Sequence, residues 1–134
     1  MIELYYKSGA ASLVVHAALE EVGVEYALIR ATRQDRVFGP PEAARLNPDG
    51  RVPVMSFDGL AMTESAACVM HISDVYPAAN LAPAAGTAKR GLWYRWLVYL
   101  VSPVQSTFYG FIAPARSAPP QAQEAVRAPP PAGS

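Results

Sequence analysis

Asn47-Pro48-Asp49-Gly50-Arg51-Val52-Pro53-Val54-Met55-Ser56-Phe57-Asp58-Gly59-Leu60-Ala61-Met62-Thr63-Glu64-Ser65 is the stretch on which the fold turns. Val54 to Phe57 and Leu60 to Thr63 are apolar runs joined by Asp58-Gly59, the two-residue link that best suits an antiparallel hairpin. Thr63-Glu64-Ser65 then opens a helix predicted over about Glu64 to Tyr76, with Ala66, Val69, Met70 and Ser73 on one face and Pro77 as its stop. Upstream, Ile2 to Tyr6 reads as a strand and Lys7-Ser8-Gly9 as a turn. From Ser12 onward Val15, Ala18, Leu19 and Val22 fall at helical spacing, and Gly23 sits where a helix ends in a left-handed residue. The Ser12 hydroxyl is expected to cap that helix. Val24 to Arg30 reads as a second strand, and the polar segment Arg33 to Leu46 has room for one short helix over Pro41 to Leu46. The order is β-α-β-α-β-β-α, an α/β domain.

Length and composition set the frame around that domain. The chain has 134 residues, enough for one domain and part of a second. Hydrophobic residues make up 51% and charged residues 16%, so a real core can be buried. Lys+Arg and Asp+Glu balance at 11 each, with no basic stripe to track phosphates, so nucleic acid is not an expected partner. Met1-Ile2-Glu3 has no positively charged region followed by an apolar stretch, so a signal peptide is not expected and a cytoplasmic location is expected by default. One cysteine, Cys68, excludes an internal disulfide, a CxxC pair and a thiolate zinc cluster, and no metal is expected.

Downstream, Ala78 to Gly86 reads as a linker, and a helix begins near Thr87. Trp93, Trp96, Leu97, Leu100 and Val101 form a wide apolar stripe, which Pro103 kinks or stops. The run from Leu92 to Ile112 is interrupted by Arg95, Pro103, Gln105 and Ser106, so it reads as a buried helix with a broken end and not as a membrane span. From Ser117 a Pro-rich tail is expected to be disordered.

Three motifs occur in order: Gly9-Ala10-Ala11-Ser12-Leu13 after the first strand, Asn47 to Pro53 before the hairpin, and Thr63-Glu64-Ser65 at the third helix. Together they resemble the N-terminal domain of glutathione transferases, most closely the bacterial beta class. The resemblance covers Met1 to about Pro77, and Thr87 to about Phe111 looks like the family's first C-terminal-domain helix. It implies a thioredoxin-like domain over 1–78, a truncated all-α segment over 86–116 and the tail over 117–134. It also implies glutathione as co-substrate, a small electrophile as its partner in reaction, and a homodimer.

In the family, a cis Val-Pro bond holds the cysteinyl main chain of glutathione, a role that would fall to Val52 and Pro53; an ordinary turn proline before an edge strand is the competing reading. Glu64 and Ser65 stand at a helix start, where exposed N–H groups favour a carboxylate, and the family places the γ-glutamyl end of glutathione there. A capping Thr63 needs no ligand to explain the same residues. Thiolate formation needs a donor beside the sulfur. Ser12 and Tyr6 both match family positions, against a plain N-cap for Ser12 and a half-buried strand aromatic for Tyr6. Arg36, or its neighbour Arg33, would meet the glycine carboxylate, unless both are solvated surface charge. Beta-class members carry a cysteine where this chain has Ala11 and a histidine where it has Gln105. Cys68 reads as a buried structural thiol, and His16 and His71 as helix-surface or packed residues. With the family's later helices missing, the Trp93 to Leu100 stripe would lack cover and expose an apolar patch.

Overall fold

The computed structural model describes residues 1–31, 33–34, 37–38, 47, 50–112 and 122. Strand β1 (Ile2–Tyr6) lies inside a four-stranded sheet of order β2-β1-β5-β6, with Ile2, Leu4 and Tyr5 buried. Helix α1 (Ser12–Val22) carries the chain back, so that β2 (Tyr26–Arg30) pairs parallel to β1, Ile2 opposite Tyr26 and Tyr6 opposite Arg30. A parallel pair needs such a crossover. The helix buries Val15, Ala18 and Leu19 and ends at Gly23, whose φ of 71° lets its N–H reach the Leu19 and Glu20 carbonyls, both at 3.1 Å.

One expectation at this helix is corrected. Ser12 does not cap it: Ala11 is the N-cap, with no side-chain capping bond, and Ser12 is the first helical residue. Helical side chains lean toward the N-terminus, so the Ser12 hydroxyl turns back onto the preceding loop and bonds Lys7 there.

Two very short strands, β3 (Arg33–Gln34) and β4 (Val37–Phe38), pair antiparallel as a separate ribbon that no periodicity announces. The short helix expected over Pro41 to Leu46 lies outside the described residues, as does the Pro-rich tail apart from residue 122. The hairpin of β5 (Val54–Phe57) and β6 (Leu60–Thr63) forms where Asp58-Gly59 predicts it, with φ of 49° and 79° at the two turn residues and Phe57 opposite Leu60. Strand β5 pairs antiparallel with β1, Leu4 opposite Met55 and Tyr5 opposite Val54.

Side-chain alternation sorts the two faces of the sheet. Helix α2 (Ser65–Val75) packs against α1, and both lie on the face of Ile2, Leu4 and Tyr6. His16 of α1 meets the Tyr6 and Tyr26 rings there, and His71 of α2 sits edge-on to Phe57 at 4.7 Å. On the opposite face Tyr5, Val54 and Ile29 pack together. After α2, Pro77 opens a short 3-10 turn, Pro77–Ala79.

Helix α3 (Ala88–Tyr99) spans the division between two compact units, Met1–Trp93 and a second from Tyr94 on. Its first turns belong to the first unit through Arg90, which is buried, pairs with Asp74, donates to the Pro83 carbonyl at 3.0 Å and lies over the Trp93 ring at 4.5 Å. In the second unit the helix widens into π-type turns over Leu100–Val104, where Pro103 lacks the N–H a tighter turn would use, and resumes as α4 (Gln105–Ile112). Trp96 meets Tyr99 edge-on at 5.8 Å, while Arg95 lies 5.0 Å over the Trp96 ring. The buried-helix expectation fails here: Trp96, Val98, Tyr99, Leu100, Phe108 and Phe111 are exposed. These side chains leave an exposed apolar surface on the segment among the described residues. Among the described residues, no helix is long and apolar enough to cross a membrane.

Cys68 is fully buried on α2, its Sγ 3.8 Å from the carbonyls of Met62 and Thr63. Burial, with a smaller push from the Glu64 carboxylate, raises its thiol from 9.0 to about 12. Because the folded value is the higher one, this thiol favours the native state at neutral pH and loses that contribution as pH rises through 9.0 toward 12. Its native thiolate population is then about a thousandfold below that of the unfolded chain at one pH. Iodoacetamide is therefore expected to modify native Cys68 at least ~100-fold more slowly than the urea-unfolded chain; equal rates would place the thiol at the surface.

Candidate functional site

The strand register gathers three distant segments at one end of the sheet. Val54 pairs with Tyr5 on one side and Thr63 on the other. The next residue along each segment is Pro53 before β5, Tyr6 at the end of β1 and Glu64 after β6. Candidate residues far apart in sequence are thus neighbours at this edge because the ladder fixes them there.

The Val52-Pro53 peptide bond is cis. Pro53 is buried and Val52 half-buried, and Val52 precedes the ladder that begins at Val54. Among the described residues, no backbone hydrogen bond engages Val52. The turn leading into it is tied from within: Gly50, at φ 60°, donates to the Asn47 carbonyl at 2.9 Å, and the Asn47 amide donates to the Arg51 carbonyl at 2.9 Å. Asn47 is itself buried, so this second bond satisfies a polar group that the core would otherwise penalise.

Glu64 is the N-cap of α2 and has φ 66° and ψ 112°, a left-handed backbone rare for a residue with a side chain. It makes no side-chain capping bond, and Thr63 closes β6 without capping the helix. The early N–H groups of α2 therefore have no side-chain cap, and intrahelical partners do not exist for them. Ser65 is buried and opens the helix, while the Glu64 side chain is exposed. A carboxylate is the ligand such a helix start accepts.

Between β1 and α1 lies an open cleft of about 240 Å³, lined by Tyr6, Lys7, Ser8, Gly9, Ser12, Leu13 and His16. Tyr6 and Ser12 are brought together here; Val52, Pro53, Glu64 and Ser65 share the sheet end but do not line this cleft. Gly9 at φ 69° lets the loop reverse, and Ala10 donates to the Lys7 carbonyl at 3.2 Å. Ser12 is 1% exposed, and its hydroxyl accepts from the Lys7 N–H and donates to the Lys7 carbonyl, each at 3.2 Å. In the resting structure its proton is committed to the loop. A thiolate must draw that proton away, which a charged acceptor can do because it binds more strongly than a carbonyl.

His16, which the sequence places as a helix-surface or packed residue, is half-buried and lines the cleft. Its ring lies 6.4 Å from that of Tyr6 and 5.8 Å from that of Tyr26, and its Nε2 is 3.6 Å from the Glu20 carboxylate. The signal was present: Ser12, His16 and Glu20 recur every fourth residue and so form one stripe of α1. Ala11 stands at the N-cap of α1, and Gln105 begins α4 in the second unit. Arg36 lies outside the described residues; Arg33 is placed only as part of β3.

Comparison with known proteins matches this geometry to one family. Residues 10–75 match the glutathione S-transferase N-terminal domain. Glutathione S-transferase GstA of Escherichia coli O157:H7 is 28% identical over 129 residues, 95% of this chain and 63% of the relative. A sphingomonad glutathione S-transferase complexed with glutathione superposes with a TM-score of 0.79 at 32% identity, over 92% of this chain and 62% of that one. The beta-class enzyme of Sphingomonas chungbukensis gives a TM-score of 0.79 at 31% identity, with the same coverage of 92% and 62%. The chain spans somewhat less than two thirds of the length of these relatives. Motif order, sheet register and these matches agree: residues 10–75 form a glutathione S-transferase N-terminal domain, thioredoxin-like in fold, and a helical segment follows it.

Proposed function

We propose that the chain binds glutathione and activates its thiol for attack on a small electrophile. The observation that carries this reading is the meeting, at one sheet end, of a Val52 backbone left out of the strand ladder, a helix start at Glu64-Ser65 without a side-chain cap and the cleft that holds Tyr6 and Ser12. A tripeptide thiol has matching parts. Its cysteinyl N–H and C=O pair with Val52 as an added strand would. Its γ-glutamyl carboxylate meets the α2 N–H groups and the Ser65 hydroxyl, with Glu64 facing the amine. Its sulfur then lies toward the β1–α1 loop. The structure of a relative with glutathione bound supports the ligand.

The chemical contribution of the site is to favour the thiolate. A free thiol of pKa about 8.5 is only a few per cent ionised at neutral pH, and each unit by which the site lowers that value is worth about 1.4 kcal/mol. Ser12 or Tyr6 would supply a hydroxyl donor to the sulfur, in the way that charge-assisted bonds stabilise anions. Arg36 remains the proposed partner of the glycine carboxylate. Ala11 excludes a mixed disulfide at that position, so the reaction we assign is transfer and not thiol-disulfide exchange, and Gln105 supplies no imidazole at its own position. A cytoplasmic homodimer acting in detoxification completes the proposal. The second reading, a module that holds glutathione without turnover, is favoured by one observation: the Ser12 proton already belongs to the Lys7 carbonyl.

Calorimetric titration of the full chain with glutathione is expected to show one site per chain, and Ser65→Ala to weaken it about tenfold, the worth of one bond to a charged group. Full-strength binding by Ser65→Ala would place the carboxylate elsewhere. In a conjugation assay with an aromatic electrophile, Ser12→Ala is expected to lower kcat/KM more than tenfold, while Tyr6→Phe changes it little. The reverse pattern would assign the donor to Tyr6, and turnover in neither the variants nor the parent would favour the binding module.

A further inference from the structure

We propose that His16 takes the thiol proton in the β1–α1 cleft, a role that rests on the glutathione reading above and adds a base to it. In this step the S–H bond of glutathione breaks, an N–H bond forms on the neutral imidazole, and a thiolate and an imidazolium result. No other reactant is needed. Pairing a thiol with an imidazole is an established way to make a sulfur nucleophile.

The surroundings of His16 fit a proton acceptor. It is half-buried, with a side-chain exposure of 31%, and it lines the same cleft as the two hydroxyl candidates. From its own helix, the Glu20 carboxylate stands 3.6 Å from Nε2. From β2, the Tyr26 hydroxyl donates to that same carboxylate oxygen, which fixes Glu20 in place. Loss of hydration, together with the bond to Glu20, pushes the Tyr26 phenol up to about 12, so it stays a donor throughout the neutral range. From β1, the Tyr6 ring leans against the imidazole. Lys7, on the loop, also lines the cleft. Helix α2 adds no titratable contact among the described residues: Cys68 faces the Met62 and Thr63 carbonyls, and His71 faces Phe57. Ser12 does not serve as this base in the resting site, because its hydroxyl donates its proton to the Lys7 carbonyl.

The test separates proton transfer from binding. Full-length chains carrying His16→Gln and Glu20→Gln are titrated with S-methylglutathione by calorimetry, and the ultraviolet absorbance of bound glutathione thiolate is followed against pH. All three proteins are expected to bind S-methylglutathione alike, since it has no thiol proton to lose. The thiolate midpoint is expected to lie below the free value of about 8.5 in the parent, to rise so that His16→Gln holds about tenfold less thiolate at neutral pH, and to rise less in Glu20→Gln. Glu20 is exposed and tolerates the change, so this variant keeps the test informative if His16→Gln does not fold. Unaltered midpoints in the variants that bind would overturn the proton-acceptor role and leave the glutathione site standing. Absence of S-methylglutathione binding by the parent chain would overturn the glutathione reading and this role with it.

Discussion

The pairing of Val54 with Tyr5 on one side and Thr63 on the other is the constraint from which the rest of the site follows. A strand ladder has a side-chain period of two, so a slip by one residue would exchange the two faces of the sheet and turn Met55 and Phe57 away from α1 and α2. Register is held from several directions: the tight Asp58-Gly59 turn on one flank, the tied Asn47 to Arg51 turn on the other, and the buried Leu4, Val54 and Met55 between them. Once it is held, the ends of three strands and the starts of two helices must meet at one edge. The candidate ligand groups are positioned by the same hydrogen bonds that make the sheet.

Much of this was legible in the residues. Asp58-Gly59 declared the hairpin because both turn positions need positive φ, and the Val15, Ala18 and Leu19 spacing declared the buried face of α1 because packing in a helix repeats every three to four residues. Gly23 marked the helix end for the same conformational reason. What escaped the sequence depends on direction and not on pattern. Sequence does not separate Ala11 from Ser12 as the cap, and in the structure Ser12 is the first helical residue with its hydroxyl bonded back to Lys7. The ribbon of β3 and β4 is too short to have a period. His16 sits where a polar residue on a helix flank usually meets water, and its role in the cleft depends on tertiary neighbours contributed by β1 and β2.

The helical segment presents a different balance. Arg90 ties the start of α3 into the first unit through Asp74 and Pro83, which orders the helix at its base. Farther on, large apolar side chains from Trp96 to Phe111 remain in water, a cost that a finished core would remove. The candidate ligand groups placed among the described residues lie in the first unit.

The central claim is that glutathione occupies the sheet end defined by Val52, Ser65 and the β1–α1 loop. Backbone amide chemical-shift mapping of the full chain, titrated with glutathione, tests it directly. The account predicts that the largest shifts fall at Val52, at the first residues of α2 and between Lys7 and Leu13, and that they saturate together. Shifts that leave these segments untouched, or that concentrate on the exposed face of α3 and α4, would contradict it.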